Sequence, residues 1–245
     1  MSATGRNPGV RIDQDAYFTP HPFTYAIAPA LFGYGSKFRR LPVVDPACGE
    51  GALFAPLLRL GFDPAQLHGF ELNHERASAA ARETAARIVA CDTLAHLANW
   101  RPSCPITILA NPPYSLAFDF WKWAVHTVEA CDGQAAFFLR LNFLASEERR
   151  AFFDRAPPSV GVASRRPSFV KFRRHMKDGT TRVTGSDATE YAWIVHRAGA
   201  SSHVFFLDTS PDGLRASLNA AGFIAPPPPF LKGPPPPVID VDEED

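Results

Sequence analysis

The sequence predicts an α/β fold, a mostly parallel β-sheet with helices on both faces. Three observations carry that expectation. Short apolar runs recur along the chain with helix-forming stretches between them. The first such run, Leu41 to Asp45, leads into the glycine turn Gly49-Glu50-Gly51 and then a helical stretch, a strand–turn–helix start typical of open α/β sheets. The run Ile106-Thr107-Ile108-Leu109 is cut short by Pro112 and Pro113. Proline gives the ladder no donor and fixes φ, so this reads as a buried parallel strand with an abrupt end. Open α/β sheets bind ligands at the carboxyl edge of their strands, which is where the residues after Leu109 are held.

A chain of 245 residues has room for one sizeable domain and little for two. We divide it into an irregular segment at 1–14, one catalytic domain at 15–223 and a Pro-rich, acidic, disordered tail at 224–245. The formal net charge of zero argues against a polyanion partner, but the distribution reverses that impression. Asp240, Asp242, Glu243, Glu244 and Asp245 crowd the last six residues, so the rest of the chain carries five net positive charges. Arg165, Arg166, Lys171, Arg173, Arg174, Lys177 and Arg182 form a basic stripe, the electrostatic footprint of a polyanion partner. The four cysteines show no CxxC and no close pairing, which supports neither a metal site nor a disulfide frame and fits a reducing cytoplasm. No run approaches the ~18 consecutive apolar residues of a membrane span, and the N-terminus has no apolar leader.

In chain order, Tyr17-Phe18-Thr19-Pro20 precedes a helical run to about Leu31, with Pro22 near its start. The first strand is Leu41 to Asp45, and a helix from Ala52 to Leu60 ends at Gly61. Glycines in the turn let the backbone approach a ligand closely, and that turn suits a phosphate as well as a nucleoside. A second strand, Gln66 to Phe70, ends at Glu71, 26 residues after Asp45. A carboxylate there can accept two hydrogen bonds from a ribose diol, or it is a solvated strand-end charge. Asn73 caps an Ala-rich helix reaching Arg87. The third strand, Arg87 to Ala90, leads to Asp92, which suits a helix N-cap.

After the fourth strand, Leu116 to Ala130 is helical, and its Phe118, Phe120, Trp121 and Trp123 read as core. Ala135 to Leu141 is a fifth strand, and Ser146-Glu147-Glu148 opens a helix with acid in its first turn. Arg140, Asn142, Arg149 and Arg150 suit either substrate or solvent. Val160 to Ala163, Tyr191 to His196 and His203 to Leu207 are further strands. Lys171 to Asp187, rich in Gly, Ser, Thr and base, suggests a mobile loop able to grip phosphates. Ser210-Pro211 opens a short helix ending at Gly222. The proline runs at 226–229 and 234–237 suggest extended polyproline II.

At Asn111-Pro112-Pro113-Tyr114 the chain offers an amide oxygen, a strand-end carbonyl and a flat ring, a socket for a planar group bearing an amino nitrogen. This motif resembles the catalytic motif of S-adenosylmethionine-dependent DNA N6-adenine methyltransferases. Val43-Val44-Asp45-Pro46-Ala47-Cys48-Gly49-Glu50-Gly51 resembles the same family's cofactor motif, and the two stand in the family's order. The resemblance implies a Rossmann-like class I methyltransferase with a seven-stranded sheet. It implies S-adenosylmethionine as cofactor, held by Tyr17, Thr19, Pro20, Asp45, Ala47, Gly49, Gly51, Glu71, Asp92 and Asn111. Asp45 would face the methionine ammonium, and Asp92 the adenine amino group.

The resemblance makes Asn111, Pro112, Pro113 and Tyr114 catalytic and DNA the partner. The flipped adenine would lie between Tyr114 and Phe169, the latter in a segment, Ser164 to Phe169, similar to the family's late motif. A buried strand phenylalanine is the plain alternative for Phe169. Arg166, Lys171, Arg173 and Arg174 would hold the DNA backbone. RNA-base and protein-glutamine methyltransferases also carry NPPY and remain rivals, as does a catalytically silent binding protein. Restriction-associated members generally carry a large target-recognition domain. Here only the segment around 170–190 serves, so short or relaxed specificity is expected, as in small phage or prophage enzymes. A weak homodimer stays open, and the acidic tail solubilises the chain, meets a partner or covers the basic loop.

Overall fold

The computed structural model describes residues 18–98, 100–169, 171–175, 181–185, 189–235 and 238–241, with the backbone alone at 171–175, 181–185, 228–229 and 239–241. Helix α1 (His21–Phe32) opens on Pro20 and Pro22, because proline's missing N–H costs nothing in a first turn. β1 (Val43–Asp45), α2 (Phe54–Arg59), β2 (Leu67–Glu71), α3 (His74–Thr84), β3 (Arg87–Ala90) and α4 (Thr93–His96) follow. Next come β4 (Thr107–Ala110), α5 (Ala117–Ala130), β5 (Gln134–Arg140), α6 (Glu147–Arg155) and β6 (Ser159–Ala163). The chain then makes β7 (Lys171–His175), β8 (Thr181–Gly185), β9 (Tyr191–Arg197), β10 (Val204–Leu207), α7 (Pro211–Ala220), α8 (Pro228–Lys232) and β11 (Val238–Val241).

Eight strands form the main sheet in the order β10-β6-β9-β5-β4-β1-β2-β3. β1 to β5 are parallel, while β9 runs antiparallel between β5 and β6. The edge strand β10, parallel to β6, makes the sheet one strand larger than the seven the resemblance implied. β1 and β4, buried throughout, sit in the middle, whereas β3 alternates exposed and half-buried at the edge. Strands covered on both faces need continuous apolar runs, and edge strands do not. α1, α2 and α7 pack one face through Ile27, Phe32, Leu57, Leu214 and Leu218. α5 covers the other with Phe120, Trp121, Ala124, Val125 and Val128, each large side chain contributing about 1.5–3 kcal/mol of burial. The α5 aromatics are therefore largely core, as expected. The strand order reverses between β1 and β4, and the crevice at their carboxyl ends is where the site forms.

Two segments depart from the sequence reading. Lys171 to His175 and Thr181 to Gly185 are paired antiparallel strands, not a loop. Polar composition hid a hairpin whose Phe172, Thr181, Val183 and Thr184 suit extended backbone. The tail is not wholly polyproline II either. Pro228 begins α8, with proline again in a first turn, and Leu231 is fully buried. Val238–Val241 adds a parallel strand to β7, giving a second sheet in the order β11-β7-β8. Among the described residues no helix is long and apolar enough to cross a membrane.

Candidate cofactor and substrate site

The site begins where β1 stops. Asp45 is 2% exposed, and its Oδ1 accepts from the Ala47 N–H at 3.1 Å. Burial pushes its carboxyl up to about 8, the Ala47 N–H pulls the other way, and the charge of Glu71 adds to the rise. Glu71, at the tip of β2, takes the Gly49 N–H on Oε2 and the Asn73 N–H on Oε1, both at 2.9 Å. It thereby ties the glycine turn to the start of α3, whose first turn Asn73 caps through the Glu75 and Arg76 N–H groups. The turn itself needs glycine. Gly49 and Gly51 have φ of +55° and +86°, and a Cβ on Gly51 would stand 2.8 Å from Thr84 Cγ2. Thr93 Oγ1 donates to the Pro46 carbonyl at 2.6 Å, fixing α4 against the end of β1. Asp92 caps α4 through the Ala95 N–H at 3.3 Å, as an N-cap should, and also borders the cavity.

The second half of the site follows β4. Asn111 Nδ2 donates at 2.9 Å to Thr19 Oγ1, a buried hydroxyl 92 residues away in sequence. The segment before α1 is thus drawn across the sheet edge to the catalytic motif. Pro113 accepts from the Leu116 N–H at 3.0 Å, closing a tight turn that leads into α5. The Tyr114 ring lies 6.1 Å from that of Tyr191, and the Arg140 guanidinium stands 5.0 Å from its centre. Arg140 also donates from Nε to the Tyr191 hydroxyl at 3.0 Å. Of the residues that suited either substrate or solvent, Arg140 packs against the Tyr114–Tyr191 pair. Arg149 donates to the Phe143 carbonyl, and Arg150 pairs with Asp154 on the exposed surface.

A cavity of about 700 Å³ joins the two halves. Of the residues named from sequence, Thr19, Asp45, Ala47, Gly49, Glu71, Asp92, Asn111 and Pro113 line it. Pro20, Gly51, Pro112 and Tyr114 are not among the lining residues. Tyr17 lies outside the described residues. Lys171, Arg173 and Arg174 lie on β7. Arg166 pairs with Glu190, with Nε and Nη2 at 3.0 and 2.5 Å from Oε1, across the foot of the β7–β8 hairpin. Phe169 needs correction as a wall of the site. It is 2% exposed and packs on Tyr191 and Phe138, with ring centres 5.2 and 6.4 Å away. In this structure it is the core phenylalanine of the plainer alternative, linked to Tyr114 through Tyr191.

Sequence reasoning missed the apolar rim. Phe18, Leu72 and Leu116 border the cavity at 43%, 65% and 44% exposure. The available signal was an apolar residue placed directly beside a motif residue in a loop, where burial in the core cannot explain it. Glu50, Glu71 and Asp92 line the cavity with a single guanidinium, that of Arg76, and Asp45 adds a carboxyl that burial holds protonated up to about pH 8. Such a lining repels a pyrophosphate and favours a ligand carrying a cation and a diol. Among the described residues no group of three or more His, Cys, Asp or Glu stands together as a metal site would require.

No family model matches the sequence, and no curated protein matches it. Solved structures do. The type I restriction-modification methyltransferase subunit of Streptococcus thermophilus superposes with a TM-score of 0.56 at 14% identity, over 84% of this chain and 53% of that one. This chain therefore spans about half the length of that subunit. A class I S-adenosylmethionine-dependent methyltransferase of Listeria monocytogenes gives 0.54 at 14% identity, over 86% of this chain and 72% of that one. The 23S rRNA methyltransferase ErmE gives 0.50 at 14% identity, over 76% and 71%. With a parallel β3-β2-β1-β4-β5 core, an antiparallel β9 between β5 and β6, and a crevice at the β1–β4 reversal, the chain has the Rossmann-like class I methyltransferase fold.

Proposed function

We propose that this chain transfers a methyl group from S-adenosylmethionine to the exocyclic N6 of adenine in DNA. The observation that carries the reading is that the Asn111 amide borders the same cavity as Asp45, Glu71 and Asp92. The cavity residues fit the cofactor. Asp45 matches an ammonium, the remaining lone pairs of Glu71 match a ribose diol, and Phe18, Leu72 and Leu116 offer apolar surface to a purine. S-adenosylmethionine, when bound, supplies a methyl group on a positively charged sulfur. The chain's own part is to prepare the nitrogen. An adenine amino group is a poor nucleophile because its lone pair is delocalised into the ring. Accepting its two hydrogens on Asn111 Oδ1 and the Pro112 carbonyl returns electron density to the nitrogen. Thr19 fixes the amide by accepting from Nδ2, which leaves Oδ1 as the oxygen to accept. Tyr114 supplies a flat face for an extruded base.

DNA is favoured by the resemblance of the NPPY segment and by a basic hairpin rooted beside Tyr191. An RNA base is the second reading, supported by the fold shared with an rRNA methyltransferase over 71% of that enzyme. Incubation with methyl-tritiated S-adenosylmethionine and DNA, RNA or cell extract separates them, since label enters one fraction. Asn111→Ala should abolish transfer while leaving cofactor affinity within about twofold, because the lost acceptor acts on the substrate. Undiminished labelling by that variant removes the assignment.

A further inference from the structure

β7 is the most basic strand of the chain, with Lys171, Arg173, Arg174 and His175 among its five residues. In the second sheet it lies between β8 and β11. β11 contains Asp240 and runs directly into Asp242, Glu243, Glu244 and Asp245. The pairing is parallel, with Val238 opposite Lys171, Asp240 opposite Arg173 and Val241 opposite Arg174. The strand that leads into the most acidic stretch of the sequence is therefore paired with the most basic strand.

Three further features tie this edge to the site. The hairpin returns to the main sheet at Tyr191, whose ring is 6.1 Å from that of Tyr114. The Arg166–Glu190 pair closes the hairpin's foot. On the tail side, Leu231 is fully buried, so α8 pins the chain a few residues before β11 begins. A tether that short holds a segment at an effective concentration on the order of millimolar.

We propose that the edge of β7 that β11 occupies is an interaction surface for an extended polyanion, and that the chain's own acidic tail is its resident occupant. The tail competes there with the nucleic-acid backbone. This inference rests on the nucleic-acid reading given above. A duplex must displace the tail to reach β7, so its affinity is lowered by the tail's occupancy. Salt screens the charge of the tail and of the duplex backbone alike, so the competition weakens as salt rises.

The test compares the full chain with a full-length variant carrying Asp240→Asn, Asp242→Asn, Glu243→Gln, Glu244→Gln and Asp245→Asn, which keeps the backbone of β11 and removes its charge. Fluorescence anisotropy with a labelled duplex should show the variant binding about tenfold more tightly at ~50 mM salt, with the gap closing to about twofold at ~300 mM. Hydrogen exchange on the unmodified chain should show Val238–Val241 protected alone and losing protection when duplex is added. Equal affinities at low salt, or protection of 238–241 that persists in saturating duplex, overturn the tail's role and leave the nucleic-acid reading standing. Failure of both chains to bind any DNA or RNA sinks the nucleic-acid reading, and this one with it.

Discussion

Replacing Asp45 with asparagine tests the electrostatic heart of the site. The side chain is 2% exposed, and burial with the nearby Glu71 charge raises its carboxyl to about 8. In the unfolded chain it would ionise near the ordinary value for aspartate, about 3.9. The folded state thus holds a proton that the unfolded state gives up. The contribution to stability is complete below pH ~4 and is lost as pH rises towards ~8, at about 1.4 kcal/mol per pH unit. Asparagine has no such proton, and its Oδ1 can still accept from the Ala47 N–H. Between pH 5 and pH 7 the native chain should therefore lose about 3 kcal/mol more than Asp45→Asn, or roughly 6–12 °C in Tm for a domain of this size. Scanning fluorimetry of both chains without cofactor, at pH 5, 6, 7 and 8, gives the comparison. In the native chain, cofactor affinity should rise about tenfold per pH unit up to ~8, since only the carboxylate meets an ammonium favourably. The variant should bind the cofactor poorly at every pH. Parallel Tm–pH curves for the two chains would refute the reasoning, because the buried carboxyl would then titrate as it does in the unfolded state.

Other perturbations probe the remaining parts of the site. Gly51→Ala places a Cβ 2.8 Å from Thr84 Cγ2 at a φ of +86°, so chemical denaturation should show a loss of about 2–3 kcal/mol together with weakened cofactor binding. Thr19→Val removes the acceptor that fixes Asn111 and should lower kcat about tenfold. Thr19→Ser should restore it, and equal rates for the two would remove the positioning role. Tyr114→Ala should cost about 1–3 kcal/mol in kcat/KM through the lost stacking face, whereas Tyr114→Phe keeps that face and most of the rate.

The elements that the sequence made legible are those whose signals are local. Asn73 and Ser210 cap their helices as read, through the Glu75, Arg76 and Gly213 N–H groups. The apolar runs became the central strands to within a residue or two at each end. Asp45, Glu71 and Asp92 were recognisable because each stands at or just beyond the carboxyl end of a strand, and parallel strands bring those ends to one edge. Phe169 was not decidable from sequence, because a phenylalanine that stacks on a base and one that stacks on Tyr191 have the same neighbours along the chain. The hairpin at 171–185 was hidden by its polar composition. β11 was hidden because a strand paired across some 65 residues leaves little mark on its own sequence beyond Val238, Ile239 and Val241.

By itself, then, the sequence determined the α/β class, the strand–turn–helix start with its glycines, and the presence of an amide, a carbonyl and a ring at the end of the fourth strand. These follow from backbone sterics and hydrophobic periodicity, which act over a few residues. Only the tertiary structure decided that Thr19 meets Asn111, that four carboxyl groups and one guanidinium line a single cavity, that Phe169 lies in the core, and that Val238–Val241 pairs with the basic strand. Each of these joins residues far apart in the chain, and their distances are set by how the whole sheet twists and packs, a quantity no local window contains.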